Sequence, residues 1–260
     1  MINKFIALIS KFDNLIEFRL HFFCIKFILY FKNGFMLLND PVVNWFFLNI
    51  NKNYNLIDIG ANRGTYSYIF YILTKNHGKV ISFEPNPRIY RILSRNIKNK
   101  VTLFNIALSN TIGIEKFYVH IEGAGPTSSL NYHEVLNDNN LINTTNVEVD
   151  TLDNFLINKN FIPNIIKIDV EGHEPQLIEG SRNTIIKYKP IIIFELIVGL
   201  AKGEAFICMI AFLREYYILN VLENDINFDD LYIDSLANNE LDFRITKNYN
   251  IICTPISYGN

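Results

Sequence analysis

The chain has 260 residues, 49% of them hydrophobic and 14% aromatic, with a formal charge of −2. That length and apolar content suit one large folded core and exclude a disordered polypeptide. The near-neutral charge lacks the basic footprint that wraps nucleic acid, so no nucleic-acid partner is expected. Cys24, Cys208 and Cys253 are far apart and have no metal-ligand spacing, so neither a zinc site nor a disulfide framework is indicated. They suit a reducing, cytoplasmic setting.

Residues 1–50 read as an apolar helical extension to a domain spanning 51–260. Lys4, Lys11, Asp13, Glu17, Arg19, Lys26 and Lys32 interrupt the extension. No uncharged stretch reaches the roughly 18 residues of a membrane span. Lys11 and Asp13 also cut short any secretory signal. Phe5, Leu8, Ile9, Phe12, Leu15 and Ile16 recur at helical spacing, so an amphipathic helix is expected. Five Lys or Arg against two Asp or Glu give residues 1–39 a charge of +3. Its apolar face either docks on the domain or on a second copy of the chain, or rests peripherally on a membrane surface through residues 1–40.

Leu56–Ile59 is a short apolar run that breaks into Gly60-Ala61-Asn62-Arg63-Gly64 and reopens as a helix from Tyr66 to Thr74, with Gly78 as the helix stop. Strand, turn and helix in this order place a ligand at the carboxyl end of the first strand. A dinucleotide fingerprint needs glycine where Asn62 stands, so a nicotinamide-dependent oxidoreductase is disfavoured. What remains is D-x-G-x-x-x-G, which suits a ligand without phosphates. The amino-acid end of S-adenosylmethionine fits, with its ammonium near Asp58 and the loop and its carboxylate near Gly64.

Lys79–Phe83 reads as the second strand. Glu84 closes it, twenty residues past Gly64, the offset at which an acidic side chain takes ribose hydroxyls. Asn86 follows in the same turn. Ile89–Ile97 is a helix and Val101–Phe104 the third strand, whose end, at Asn105-Ile106-Ala107, borders the adenine of such a ligand. Ile114–Ile121 reads as an accessory strand and Glu122–Ser129 as a loop at the acceptor side. A short strand at Val147–Val149 leads to a helix capped by Asp150 or Thr151. Ile165–Val170 is a buried strand, apolar except at Lys167. At its end stand Asp169, Glu171, Gly172, His173 and Glu174, across the cleft from the glycine turn. Pro190–Phe194 is a fifth strand ending at Glu195. Glu204–Glu215 is helical, and Tyr217–Leu222 pairs with Asn250–Cys253. Asp225, Asp229, Asp230 and Asp234 lack the spacing of a calcium loop.

Together, L-I-D-I-G-A-N-R-G-T-Y-S, V-I-S-F-E-P-N-P, the A-L-S at Ala107, V-D-T-L-D from Val149 and I-K-I-D-V-E-G-H-E from Ile166 resemble the FkbM family of S-adenosylmethionine-dependent methyltransferases. The resemblance runs from about Asn55 to Glu195. It implies an α/β, Rossmann-like class I methyltransferase with a seven-stranded, mostly parallel sheet and helices on both faces. It also implies methyl transfer to a hydroxyl of a sugar or lipid-linked saccharide acceptor. Asp58, Gly60, Asn62, Gly64, Glu84, Asn86, Asn105, Ala107 and Asp169 are then the cofactor-side residues.

The acceptor proton needs a base, and His173 is the first choice because imidazole titrates at about 6.5. Glu174 or Glu171 orients its ring, and Asp169 touches cofactor or acceptor. A metal variant uses Asp169, Glu171, His173 or Glu174 to hold Mg²⁺ against a sugar diol. A zincin site is excluded, since Leu177 stands where its second histidine is required. The alternative from another class is a binding module of this shape without catalysis.

Overall fold

A computed structural model describes residues 40–75, 77–97, 99–120, 129–130, 142–197, 203–222, 226–228 and 248–256. The expected helix before residue 40, the loop at 122–128 and the acidic stretch containing Asp225, Asp229, Asp230 and Asp234 lie outside those residues.

The elements follow in order. Helix α1 (Pro41–Asn49) precedes β1 (Leu56–Ile59), α2 (Thr65–Thr74), β2 (Val80–Phe83), α3 (Pro87–Ile97), β3 (Thr102–Phe104) and β4 (Ala107–Leu108). Then come β5 (Gly113–His120), β6 (Ile142–Asp150), α4 (Leu152–Leu156), β7 (Ile165–Ile168), α5 (Glu174–Glu179) and α6 (Arg182–Tyr188). The described chain closes with β8 (Ile191–Ile197), α7 (Glu204–Arg214), β9 (Tyr217–Val221), β10 (Ile226–Asn227) and β11 (Asn248–Pro255).

The main sheet has eight strands in the order β10-β9-β11-β8-β7-β1-β2-β3. Setting aside the two-residue edge strand β10, it is the seven-stranded, mostly parallel sheet the resemblance implied. Strands β3, β2, β1, β7 and β8 run parallel, while β11 lies antiparallel to both β8 and β9. The chain winds outward from β1 through β2 and β3, then returns to the other side of β1 with β7 and β8. The switch point therefore lies between β1 and β7, and a ligand cleft is expected outside their carboxyl ends.

Strands β1, β2 and β7 are buried at all four positions each. This is why they read as continuous apolar runs with no alternation. On one face Leu56, Val80, Ile165 and Ile193 pack with Val42 and Phe46 of α1, Phe70 of α2 and Leu93 of α3. On the other, Ile57, Phe83, Ile166 and Phe194 pack with Phe155 of α4, Leu177 of α5, Ile185 of α6 and Met209 of α7. Only the first face carries buried polar groups in register: Ser82, Asp58 and Lys167 on the adjacent strands β2, β1 and β7.

Several expectations change. Helix α2 ends at Lys75 in the left-handed region (φ +50°), not at a glycine cap. Gly78 serves a different purpose, since a Cβ there would lie 1.9 Å from the Tyr54 carbonyl oxygen. Ala107 belongs to a separate three-stranded sheet, in the order β4-β6-β5, and not to the end of β3. The short strand at Val147–Val149 is the last part of the nine-residue β6, whose pairing with β5 is invisible until both are placed. The helix cap falls on Thr151, which accepts from the Asn154 N–H at 3.0 Å. Helix α1 caps its own start with Asp40 and packs Phe46 edge-on against Phe70 at 4.7 Å.

Candidate active site

The turn after β1 is built from left-handed backbone. Gly60, Asn62 and Gly64 have φ of +78°, +48° and +96°, a conformation natural to glycine and tolerated by asparagine. At Gly60 the need is also steric, because a Cβ would sit 1.7 Å from the Asp169 carbonyl oxygen. That close approach joins the ends of β1 and β7, and the Asp169 N–H donates to the Ile59 carbonyl at 3.0 Å. Gly64 makes room for α3, whose Leu93 Cδ1 would be 2.6 Å from an added Cβ.

Asp58 is fully buried beneath this turn. Its Oδ2 accepts from Ser67 Oγ at 2.5 Å, and Ser82 Oγ donates to Ser67 Oγ at 2.8 Å. Its Oδ1 has no hydrogen-bond partner among the described residues. Burial pushes the Asp58 carboxyl up, against the opposing pull of Lys167 and Ser67. The floor of the turn thus carries a buried carboxyl beside Lys167, with one oxygen that no described residue hydrogen-bonds.

Glu84 ties two turns together. Its Oε2 accepts from the Asn62 N–H at 2.8 Å and its Oε1 from the Asn86 N–H at 2.9 Å. Burial raises it to about 7, although both N–H groups act to lower it. Each oxygen keeps a second lone-pair direction, so the carboxylate can still accept hydroxyl donors. Asn86 spends its side-chain oxygen on the Arg88 and Ile89 N–H groups at 3.0 and 3.4 Å, starting α3 at Pro87. Asn105 donates from Nδ2 to the Glu84 and Pro85 carbonyls at 2.7 and 2.9 Å, bracing the same turn. Ala107 is buried in the core of the small sheet.

The end of β7 supplies the acidic rim. Lys167, 4% exposed, reaches Asp169 Oδ2 at 2.7 Å, and the Asp169 side chain is 30% exposed. Glu171 takes a left-handed φ of +52°. Burial, with the nearby Asp169, Glu195 and Glu174, raises it to about 8. Glu174 is buried at the start of α5 and accepts from the Val170 and Gly172 N–H groups at 3.4 and 3.3 Å. Its burial raises it to about 7. Glu195, inside β8 and not at a strand end as expected, accepts from Asn248 Nδ2 at 2.6 Å, and burial, with Asp169 nearby, raises its carboxyl. Beyond this rim a cleft is lined by Gly172, Glu174, Pro175, Glu195, Phe206 and Met209.

His173 stands apart from that rim in role. It is 5% exposed, its Nε2 lies 2.9 Å from Ser109 Oγ, and burial lowers it to about 4. The ring is neutral at ordinary pH and joins the small sheet to the β7 turn. Glu174 accepts from the turn backbone and not from the His173 ring. Among the described residues no three His, Cys, Asp or Glu side chains come together as metal ligands, so the Mg²⁺ arrangement drawn from Asp169, Glu171, His173 and Glu174 finds no built site. Ser67, Ser109 and Glu195 were not singled out from sequence. Lys167 had a visible signal, as the one polar residue of a buried strand, but no partner was assigned to it.

A doubly wound sheet with a left-handed D-x-G-x-x-x-G turn and an acidic β2 end at its switch point defines a Rossmann-like methyltransferase. Residues 58–217 match the family pattern described as "Methyltransferase FkbM domain". The chain belongs to the FkbM family of S-adenosylmethionine-dependent methyltransferases. Over 141 residues it is 26% identical to the hexuronic acid methyltransferase AglP of Haloferax volcanii, an overlap of 53% of this chain and 54% of that protein. The match thus spans about half the length of this curated relative. Among solved structures, it is similar to a methyltransferase FkbM from Methylobacillus flagellatus KT, with a TM-score of 0.48 and 13% identity over 81% of this chain and 46% of that one. It is also similar to Aeropyrum pernix fibrillarin with natively bound S-adenosyl-L-methionine, with a TM-score of 0.45 and 10% identity over 82% and 73% of the two chains. No helix among the described residues is long and apolar enough to cross a membrane.

Proposed function

We propose that this chain methylates a hydroxyl of a sugar within a glycan, glycolipid or secondary metabolite. S-adenosylmethionine, when bound, supplies an electrophilic methyl carbon on a positively charged sulfur. The observation that carries the reading is the buried carboxyl of Asp58, its Oδ1 not hydrogen-bonded among the described residues, under a left-handed turn at the β1–β7 switch point. It puts a carboxyl where a cationic ligand without phosphates is wanted. Glu84 retains lone pairs for ribose hydroxyls, and the half-exposed Asp169 offers an acceptor to the cofactor's ammonium or to a sugar hydroxyl.

Asp169, 30% exposed just past the end of β7, is the carboxylate assigned to receive the proton, with Glu195 as the neighbouring carboxyl. With S-adenosylmethionine bound, its methyl group would pass to the acceptor oxygen, and a rim carboxylate would take the hydroxyl proton. Alignment of the three atoms provides much of the acceleration. His173 serves this site as a buried tie to Ser109, in place of the base role its titration range suggested. The sugar class is supported by the hexuronic acid activity named for the Haloferax relative and by a rim of carboxyl groups, which accept hydroxyl hydrogen bonds.

Isothermal titration with S-adenosylmethionine tests the cofactor half. The full chain is expected to bind, and Glu84→Ala to lose most of that affinity. A folded wild-type protein that binds neither S-adenosylmethionine nor S-adenosylhomocysteine would overturn the reading in favour of a scaffold without catalysis.

A further inference from the structure

Strand β7 is buried at every position, yet its third residue is a lysine. An apolar side chain there would satisfy a parallel strand, whereas a buried ammonium carries a desolvation penalty unless it is compensated. Three elements compensate it. Asp169 Oδ2 is 2.7 Å from Nζ, the Tyr66 ring of α2 lies under Nζ at 4.3 Å to its centroid, and Asp58 is the register partner on β1. Glu195 on β8 also faces the ammonium. The ring is itself fixed, since Tyr66 Oη donates to Asp40 Oδ2 at 2.9 Å at the start of α1. One fixed cation is therefore held between a carboxylate beneath the glycine turn and a partly exposed carboxylate just past the end of β7.

We infer that Lys167 is the counter-charge that sets how strongly this pocket prefers the sulfonium donor over its uncharged thioether product. The inference rests on the cofactor reading above. During transfer the sulfur loses its positive charge, so Asp58 and Asp169 alone would favour the reactant state and oppose the step. A fixed ammonium between them offsets that bias, so that loss of the sulfur's charge in the transfer is opposed less. Lys167 acts through the two carboxylates, and so is a positioning residue.

The test is isothermal titration of the full chain with S-adenosylmethionine and with S-adenosylhomocysteine, in two buffers of different ionisation enthalpy. Lys167→Met is expected to shift the affinity ratio toward S-adenosylmethionine by roughly tenfold, or to make its binding release protons that the uncompensated carboxylates had taken up. A lysine that matters only for packing would weaken both ligands alike and release no proton. Should Lys167→Met fail to fold, Asp58→Asn and Asp58→Asn/Lys167→Met differ by the same charge without stranding Asp58, and a shift in the same direction, smaller because it acts through Asp169 alone, is expected between them. If wild type binds both ligands and the ratio moves in neither comparison, the inference fails while the cofactor reading stands. If wild type binds neither, the cofactor reading itself fails.

Discussion

Replacing Glu174 by Gln is predicted to stabilise the protein at alkaline pH and to do nothing comparable at acid pH. Glu174 is 7% exposed and lies where the β7 turn enters α5. It accepts from the Val170 and Gly172 N–H groups at the long distances of 3.4 and 3.3 Å, and Asp169 opposes its charge. Moving a carboxyl from its ordinary 4.5 to about 7 corresponds to about 3 kcal/mol of native-state preference for the protonated form. Because the folded value is raised, that stabilisation is complete below pH 4.5 and is lost as pH rises through about 7. Glutamine keeps the accepting oxygen and never ionises. The variant's stability relative to wild type should therefore rise across this window by about 1–3 kcal/mol, allowing for local relaxation around the charged group. Urea unfolding at intervals between pH 4.5 and 8 measures it, read as a shift in midpoint at constant m-value. A difference that does not change with pH would refute the reasoning.

His173 should behave with the opposite sign. Its folded value is lowered from 6.5 to about 4, so the stability it contributes is present above pH 6.5 and is lost as pH falls through about 4. His173→Gln should flatten that acid limb in the same unfolding series, and an unchanged limb would show that other groups cause it. Glu84→Gln places an amide donor against one of two backbone N–H groups that now donate to carboxylate oxygens. A loss of about 1–3 kcal/mol in chemical denaturation and at least tenfold in S-adenosylhomocysteine affinity is expected, and unchanged stability would contradict the bridging role. Gly60→Ala forces a Cβ onto the Asp169 carbonyl in left-handed backbone. It should destabilise by about 3 kcal/mol or more, and a variant that melts with wild type would mean that the turn is not packed as described.

The sheet was legible because its central strands are buried on both faces and so read as short apolar runs closed by Gly, Glu-Pro or Asp-Val-Glu-Gly. The turn containing Gly60 and Gly64 and the acidic Glu84 were visible in the sequence because they follow β1 and β2 directly, where each apolar run breaks. Tertiary pairing was not. Nothing near Ala107 announces that it leaves the third strand for a second sheet, because its partner Val149 is far along the chain. The roles of His173 and Asn86 also depended on distant or local partners. His173 meets Ser109 across 64 residues of sequence, and Asn86 is consumed by the helix it starts. Lys167 was conspicuous in its strand, yet its meaning came only with Asp58 in register beside it and Tyr66 beneath it.

The most direct measurement is methyl transfer itself. The full chain is incubated with S-adenosylmethionine carrying an isotopically labelled methyl group and a panel of neutral sugars, hexuronates and lipid-linked saccharides, and the products are followed by mass spectrometry. The account predicts label on a saccharide hydroxyl, lost in Asp169→Asn. It would be contradicted by a protein that binds the donor and labels none of these acceptors, or that places the methyl on a sugar carboxylate.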